Sequence, residues 1–201
     1  GILVSGGHTF FIHVDKDYRC KLKGGTIDDA IGEALDKSAR VMGLGYPGGP
    51  IIEKLARDGN PCNVKLPRPM IKDPSLKMSF SGLKTAVIRS WEDHAPSTND
   101  LSAALQEAIA DVLVSKLHRA LQYQEYENVV LSGGVAANQF LRQRLFDCSK
   151  HNNAKLYAPS INLCTDNGAM VAFLGYRLSK GGGGILPKFV DPSWSIEELV
   201  A

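Results

Sequence analysis

Apolar positions along the chain switch between short strand-like runs and longer stretches at helical spacing. Ile2, Leu3 and Val4, the segment Ser5-Gly6-Gly7-His8-Thr9 and the apolar run at 10–14 predict two strands joined by a tight glycine turn, a hairpin with a polar tip. Ile27, Ala30, Ile31, Ala34, Leu35 and Val41 fall on one helical face behind a T-x-x-D capping signature at Thr26 and Asp29, which predicts a helix over 27–42. The sequence GLGYPGGP at 43–50 stops it, a short amphipathic helix follows over 51–57, and 58–74 reads as a loop rich in Pro, Asn and Asp. A helix is expected over 83–91. Leu101, Leu105, Ala108, Ile109, Val112, Leu113, Leu117, Ala120 and Leu121 then give one continuous apolar face of a long core helix, about six turns at 3.6 residues each. Residues 128–131 read as a short buried strand running into Ser132-Gly133-Gly134, and 135–146 as a helix. A strand at 155–158 and a helix capped by Thr165 or Asp166, running to about residue 178, complete the pattern.

Strands and helices in alternation predict an α/β fold with a mixed sheet flanked by helices, one lobe over 1–180, and a Gly-rich break with a short tail over 181–201. Gly1 leads straight into an apolar strand with no initiator Met or polar lead-in, so further chain is expected upstream.

Composition narrows the function classes. A chain of 201 residues with 44% hydrophobic content can bury a core, and a formal net charge of +2 gives no sign of a surface saturated with nucleic acid. No apolar run approaches the roughly 20 residues that cross a bilayer, and no basic-then-apolar leader opens the sequence, so no membrane association is expected. Cys20, Cys62, Cys148 and Cys164 are too widely spaced for a zinc knuckle or a disulfide framework, which suits a reducing cytosol.

Two glycine turns after strands suggest phosphate or nucleotide contact, because glycine lets a backbone come close and offer its N–H groups to an anion. Each alone also fits an ordinary tight turn. Asp29, Glu33 and Asp36 form a carboxylate stripe on the first helix, with Arg40 as its single partner; it reads first as a solvated helix face and alternatively as a contact for a hydroxyl-bearing ligand or a metal, and a nearby cation or hydrogen-bond donor would relieve its like charges. Asp166 is either a helix cap or a metal ligand. The five histidines form neither H-x-x-x-H nor H-E-x-x-H, no protease-type constellation is present, and neither a P-loop nor a G-x-G-x-x-G occurs.

Six ordered segments carry a family resemblance: LVSGGHT at 3–9, TIDDAIGEALDK at 26–37, GLGYPGGP at 43–50, SFSGLKTA at 79–86, SGGVAAN at 132–138 and CTDN at 164–167. Together they resemble the carboxy-terminal portion of the TsaD family, bacterial type, once read as glycoproteases. The resemblance implies an actin-like ATPase lobe of the ribonuclease H-like group. It implies transfer of a threonylcarbamoyl group from threonylcarbamoyl-adenylate to N6 of the adenosine beside the anticodon in tRNAs reading ANN codons. It assigns Leu3, Val4, Ser5, Gly6 and Gly7 to the substrate loop, Asp36, Gly49 and Asn138 to further adenylate contacts, and Asp166 to one divalent metal ion, iron or zinc. Two further metal ligands are histidines of an upstream H-x-x-x-H motif that this sequence does not contain, so the chain by itself is expected to be inactive. Where the family commonly shows Gly-Glu, this sequence has Gly24-Gly25. TsaB-like and TsaE-like proteins and tRNA are the implied partners, in the cytoplasm. The alternative is a non-catalytic TsaB-like scaffold or nucleotide-binding module of the same fold.

Overall fold

The computed structural model describes residues 1–180 and 195–198. Strands β1 (Ile2–Val4), β2 (Thr9–Val14), β3 (Cys20–Gly25), β4 (Asn128–Ser132) and β5 (Lys155–Tyr157) form one sheet in the order β3-β2-β1-β4-β5. The first three are antiparallel neighbours, whereas β4 runs parallel to β1 and β5 parallel to β4. Among the described residues six α-helices accompany the sheet: α1 (Ile31–Val41), α2 (Gly48–Ala56), α3 (Ser81–His94), α4 (Thr98–Tyr123), α5 (Gln139–His151) and α6 (Gly168–Lys180). The parallel pairings require crossovers, supplied by everything from β2 to α4 in one case and by α5 in the other. This is the α/β lobe with a mixed sheet that the alternation implied.

Strand periodicity decides which face is inside. Ile2, Val4, Phe11, Val129 and Leu131 point into the core, while Val130 between the last two is 51% exposed. The expectation of a short buried strand at 128–131 holds on one face only: Val129 and Leu131 are buried, Asn128 and Val130 are exposed. Helix α4 is the spine of the helical layer, and its predicted apolar stripe from Leu101 to Leu121 is buried except at Ala120, which is half-buried. Each buried leucine contributes about 1.5–3 kcal/mol over leaving it in water. Lys116 lies on the same helix with its side chain wholly buried, because its Nζ donates to the carbonyls of Asp73 and Ser75 at 2.8 Å each. Burial lowers the pKa of that amine.

Several helix boundaries move from their expected places, at α1 and α2 because a side chain from another element takes the first amide. Helix α1 starts at Ile31 rather than 27, leaving Ile27 exposed, and the N–H of Ile31 donates to Thr9 Oγ1 at 3.0 Å. Thr26 does not cap it; its hydroxyl donates to the carbonyl of Asp29 at 2.7 Å. Helix α2 begins inside the glycine segment, at Gly48. The helix expected over 135–146 is a 3-10 turn, Gly134–Ala137, followed by α5, with Asn138 between them. At α6 the cap is neither Thr165 nor Asp166: the amide of Met170 donates to Asn167 Oδ1 at 3.0 Å. The carboxylate stripe also divides. Lys37 sits between Asp29 and Glu33 at 3.0 and 2.6 Å and is the cation that relieves them, while Asp36 turns elsewhere.

The Gly-rich break at 181–184 lies outside the described residues. Ser195 to Glu198 lie against β3, where the amide of Leu22 donates to Glu197 Oε1 at 2.8 Å.

Asp28, just before α1, holds the start of α3 from afar. Its carboxylate accepts from the hydroxyls of Ser79 and Ser81 at 2.5 and 2.7 Å and from the amide of Phe80 at 2.8 Å. Partial burial pushes this carboxyl up, but those donors outweigh it and hold its pKa at about 2. A depressed carboxyl stabilises the fold in full above the ordinary carboxylate range near 3.9, and the contribution is lost as pH falls from there towards about 2. Asp28→Asn is therefore expected to lose about 1 kcal/mol at pH 7, after allowing for solvent screening at this exposed position. Urea unfolding should show that gap narrowing at pH 3; an equal gap at both pH values contradicts the assignment.

Candidate functional site

The site forms where the carboxyl ends of the parallel strands β1 and β4 meet the glycine turns that follow them. Gly133 has φ of +95°, and a Cβ there would lie 2.3 Å from the carbonyl oxygen of Val4. Only glycine lets the two strand ends approach this closely. The β1–β2 turn is closed by the amide of Ser5 donating to the His8 carbonyl at 2.8 Å and that of His8 donating to Ser5 Oγ at 3.0 Å. Helix α1 packs its first turn on the same loop: the amide of Gly32 donates to the Ser5 carbonyl at 3.1 Å, and a Cβ on Gly32 would reach Ser5 O and Gly6 Cα at 2.7 Å. Among the described residues the N–H groups of Gly6 and Gly7 meet no protein acceptor, so they are open to an anion.

Two hollows flank this junction. One, of about 250 Å³, is lined by Gly6, Gly32, Asp36, Tyr46, Gly49, Glu53, Gly134, Asn138 and Thr165. The other, of about 610 Å³, opens beyond the outer face of the sheet and is lined by Leu3, Ser5, His8, Ser132, Gly133, Gly134, Cys164, Asp166 and Met170. Gly134 belongs to both. Other hollows of about 620 Å³ beside α3 and about 540 Å³ beside β2 contain none of the candidate residues.

The candidate residues therefore separate by position. Gly6, Asp36, Gly49 and Asn138 share the smaller hollow; Leu3, Ser5 and Asp166 share the larger. Val4 lines neither, being buried in the core, and Gly7 sits exposed at the loop tip. Asp36 accepts from the amide of Gly48 at 2.7 Å, which ties the start of α2 to α1 and leaves further carboxylate acceptor capacity toward the hollow. Asn138 Oδ1 accepts from the amide of Leu141 at 2.9 Å, capping α5, and its Nδ2 donates to Gln106 Oε1 at 2.8 Å. Arg142 ties the segment before Asp166 to α5: it donates to the carbonyls of Ala136 and Pro159 at 2.6 and 2.7 Å, and to Cys164 Sγ at 3.0 Å.

Glu53, Tyr46 and Thr165 were not among the sequence candidates. Glu53 lies one helical turn after Gly49 on α2, and its carboxylate accepts from the amide of Gln139 at 2.9 Å. The i,i+4 spacing was the available signal. Tyr46 stands 82% exposed at the rim, and Thr165 precedes Asp166 within the CTDN block.

A divalent metal needs several donors on one point. Among the described residues no three His, Cys, Asp or Glu side chains come together in that way. Asp166 is exposed at the larger hollow. No helix among the described residues is long and apolar enough to cross a membrane.

A family model described as "TsaD: tRNA N6-adenosine threonylcarbamoyltransferase" matches residues 1–173. Curated relatives carrying the name tRNA N6-adenosine threonylcarbamoyltransferase include one from Persephonella marina, 48% identical over 90% of this chain and 54% of the relative. One from Bordetella petrii is 45% identical over the whole of this chain and 61% of its own length, and one from Thermotoga neapolitana 44% identical over 90% and 56%. The chain thus spans little more than half the length of these relatives.

Two glycine substitutions separate structural need from ligand room. Gly133→Ala is expected to lose at least about 2 kcal/mol, from the glycine-only backbone conformation and the clash with Val4. Gly49→Ala, whose Cβ would meet nothing nearer than Leu35 Cδ1 at 3.8 Å, is expected to stay within about 1 kcal/mol of the parent. Thermal unfolding of both variants checks this, and equal losses would contradict it.

Proposed function

Because the chain belongs to the tRNA N6-adenosine threonylcarbamoyltransferase (TsaD) family, we propose that the complete protein transfers a threonylcarbamoyl group from threonylcarbamoyl-adenylate to N6 of the adenosine beside the anticodon in tRNAs reading ANN codons. The observation that carries this reading for the present residues is that Gly134 lines both hollows. One extended donor can then lie across it, with its nucleotide among Asp36, Gly49 and Asn138 and its acyl end beside Leu3, Ser5 and Asp166.

In this arrangement Asp36 accepts hydrogen bonds from ribose hydroxyls, the free Nδ2 hydrogen of Asn138 donates to the nucleoside, and the amides of Gly6 and Gly7 face the phosphate. Gly49 keeps the floor open. Glu53 adds a second carboxylate on the ribose side. The substrate amine forms the new C–N bond, the C–O bond of the mixed anhydride breaks, AMP leaves with the bonding pair, and the amine proton passes to solvent. Holding donor and amine together is the contribution this chain makes.

Asp166 fits one ligand position of a divalent metal, iron or zinc, completed by two histidines in the part of the protein that this chain does not span. When bound, the ion supplies Lewis-acid polarisation of the carbonyl. TsaB-like and TsaE-like proteins in the cytoplasm are the proposed partners, and they are proposed to share the basic surface that tRNA requires, since this chain carries a net charge of only +2.

In the full-length protein, Asp36→Ala and Asp166→Ala are each expected to lower threonylcarbamoyladenosine in cellular tRNA at least tenfold, about 1.4 kcal/mol of lost binding or transition-state energy. Nucleoside analysis of digested tRNA reads the outcome. Wild-type levels in both variants would overturn the site assignment.

A further inference from the structure

Gln106 is a buried polar residue of α4, 7% exposed, between Leu105 and Glu107 and followed by Ala108 and Ile109. Burying an amide costs free energy unless it is hydrogen-bonded. Its Oε1 instead accepts from Asn138 Nδ2 at 2.8 Å, although the two residues are 32 positions apart.

The chemistry of the chain of groups sets the orientation of both amides. The amide of Leu141 is a donor, so the Asn138 atom facing it at 2.9 Å is the oxygen, which leaves the nitrogen facing Gln106. Gln106 must therefore present its oxygen. With Oδ1 committed to the α5 cap and one Nδ2 hydrogen committed to Gln106, one N–H donor of the Asn138 side chain remains, on a residue that lines the smaller hollow. The torsion of an asparagine amide is broad when nothing holds its nitrogen. Removing the acceptor at 106 leaves the amide held through Oδ1 at the α5 cap, with its nitrogen no longer fixed.

We propose that Gln106 is a positioning residue for nucleotide binding: it fixes the Asn138 amide so that its one uncommitted N–H faces the ligand, and so selects a hydrogen-bond acceptor at that point of the nucleoside. This rests on the nucleotide reading of the hollow given above. Gln106 does not line the hollow of Asn138; the one it borders, of about 350 Å³ between α2, α4 and α5, shares only Glu53 with it.

The test uses the full-length protein and AMP as the probe, followed by calorimetry. Gln106→Leu is expected to weaken AMP binding about fivefold, the size of one net hydrogen bond, and to raise KM for threonylcarbamoyl-adenylate in step while leaving kcat unchanged. Gln106→Met serves the same test if the leucine variant does not fold. The decisive comparison repeats the substitution in an Asn138→Ser background, which keeps a capping hydroxyl but has no amide. There Gln106→Leu should cause no further loss, because its effect runs through Asn138. An equal loss in both backgrounds, or unchanged AMP affinity in the single variant, overturns the proposal alone. A wild-type protein that does not bind AMP overturns the nucleotide reading and this inference with it.

Discussion

Everything in the candidate site depends on one close backbone contact. Gly133, at the end of β4, lies so near the carbonyl of Val4, at the end of β1, that a single added carbon would fall 2.3 Å from that oxygen. The contact brings two glycine turns, separated by more than a hundred residues of chain, to the same edge of the sheet. It is available only because β1 and β4 are parallel neighbours, so that both strands end on the same side. In open α/β sheets ligands lie outside the carboxyl ends of such strands, and that is where both hollows are found.

The surrounding elements are arranged around this junction by polar contacts that double as caps. Thr9 on β2 accepts from the first amide of α1, Asp36 on α1 accepts from the first amide of α2, and Glu53 on α2 accepts from the first amide of α5. Each helix start is thus held by the element before it in space, and the lining residues inherit their positions from that sequence of contacts. Arg142 extends the same logic to the segment carrying Asp166. The outer rim has a different character: Val171 and Phe173 of α6 are 65% and 67% exposed, next to the larger hollow where Met170 contributes.

Much of this was legible from residue patterns. The strand-turn-strand opening, the long apolar face of α4 and the strand running into Ser132-Gly133-Gly134 follow from periodicity and glycine placement alone. Asp36, Gly49 and Asn138 came from family resemblance, and the fold brings them to one hollow with Gly6. What could not be read were contacts made across long sequence separations. Asp28 is 52 residues from Phe80, so its hold on α3 left no local signal, and the carboxylate stripe looked continuous because Lys37 could not be seen reaching back to Asp29. The start of α5 was placed too early because the glycine-rich segment forms a 3-10 turn before Asn138 caps the helix. Val4 was taken for a substrate contact, yet its side chain faces the core; its backbone carbonyl matters, as the neighbour of Gly133.

The central claim is that a nucleotide occupies the hollow beside Gly134, between α1, α2 and the start of α5. The most direct measurement is an NMR titration of the complete protein with AMP, following backbone amide shifts. The account predicts saturable changes at Gly6, Gly49, Gly134 and Asn138, and little change beside α3 or β2. Shifts concentrated around Arg89 or Tyr123, in the two hollows that hold none of these residues, would contradict it.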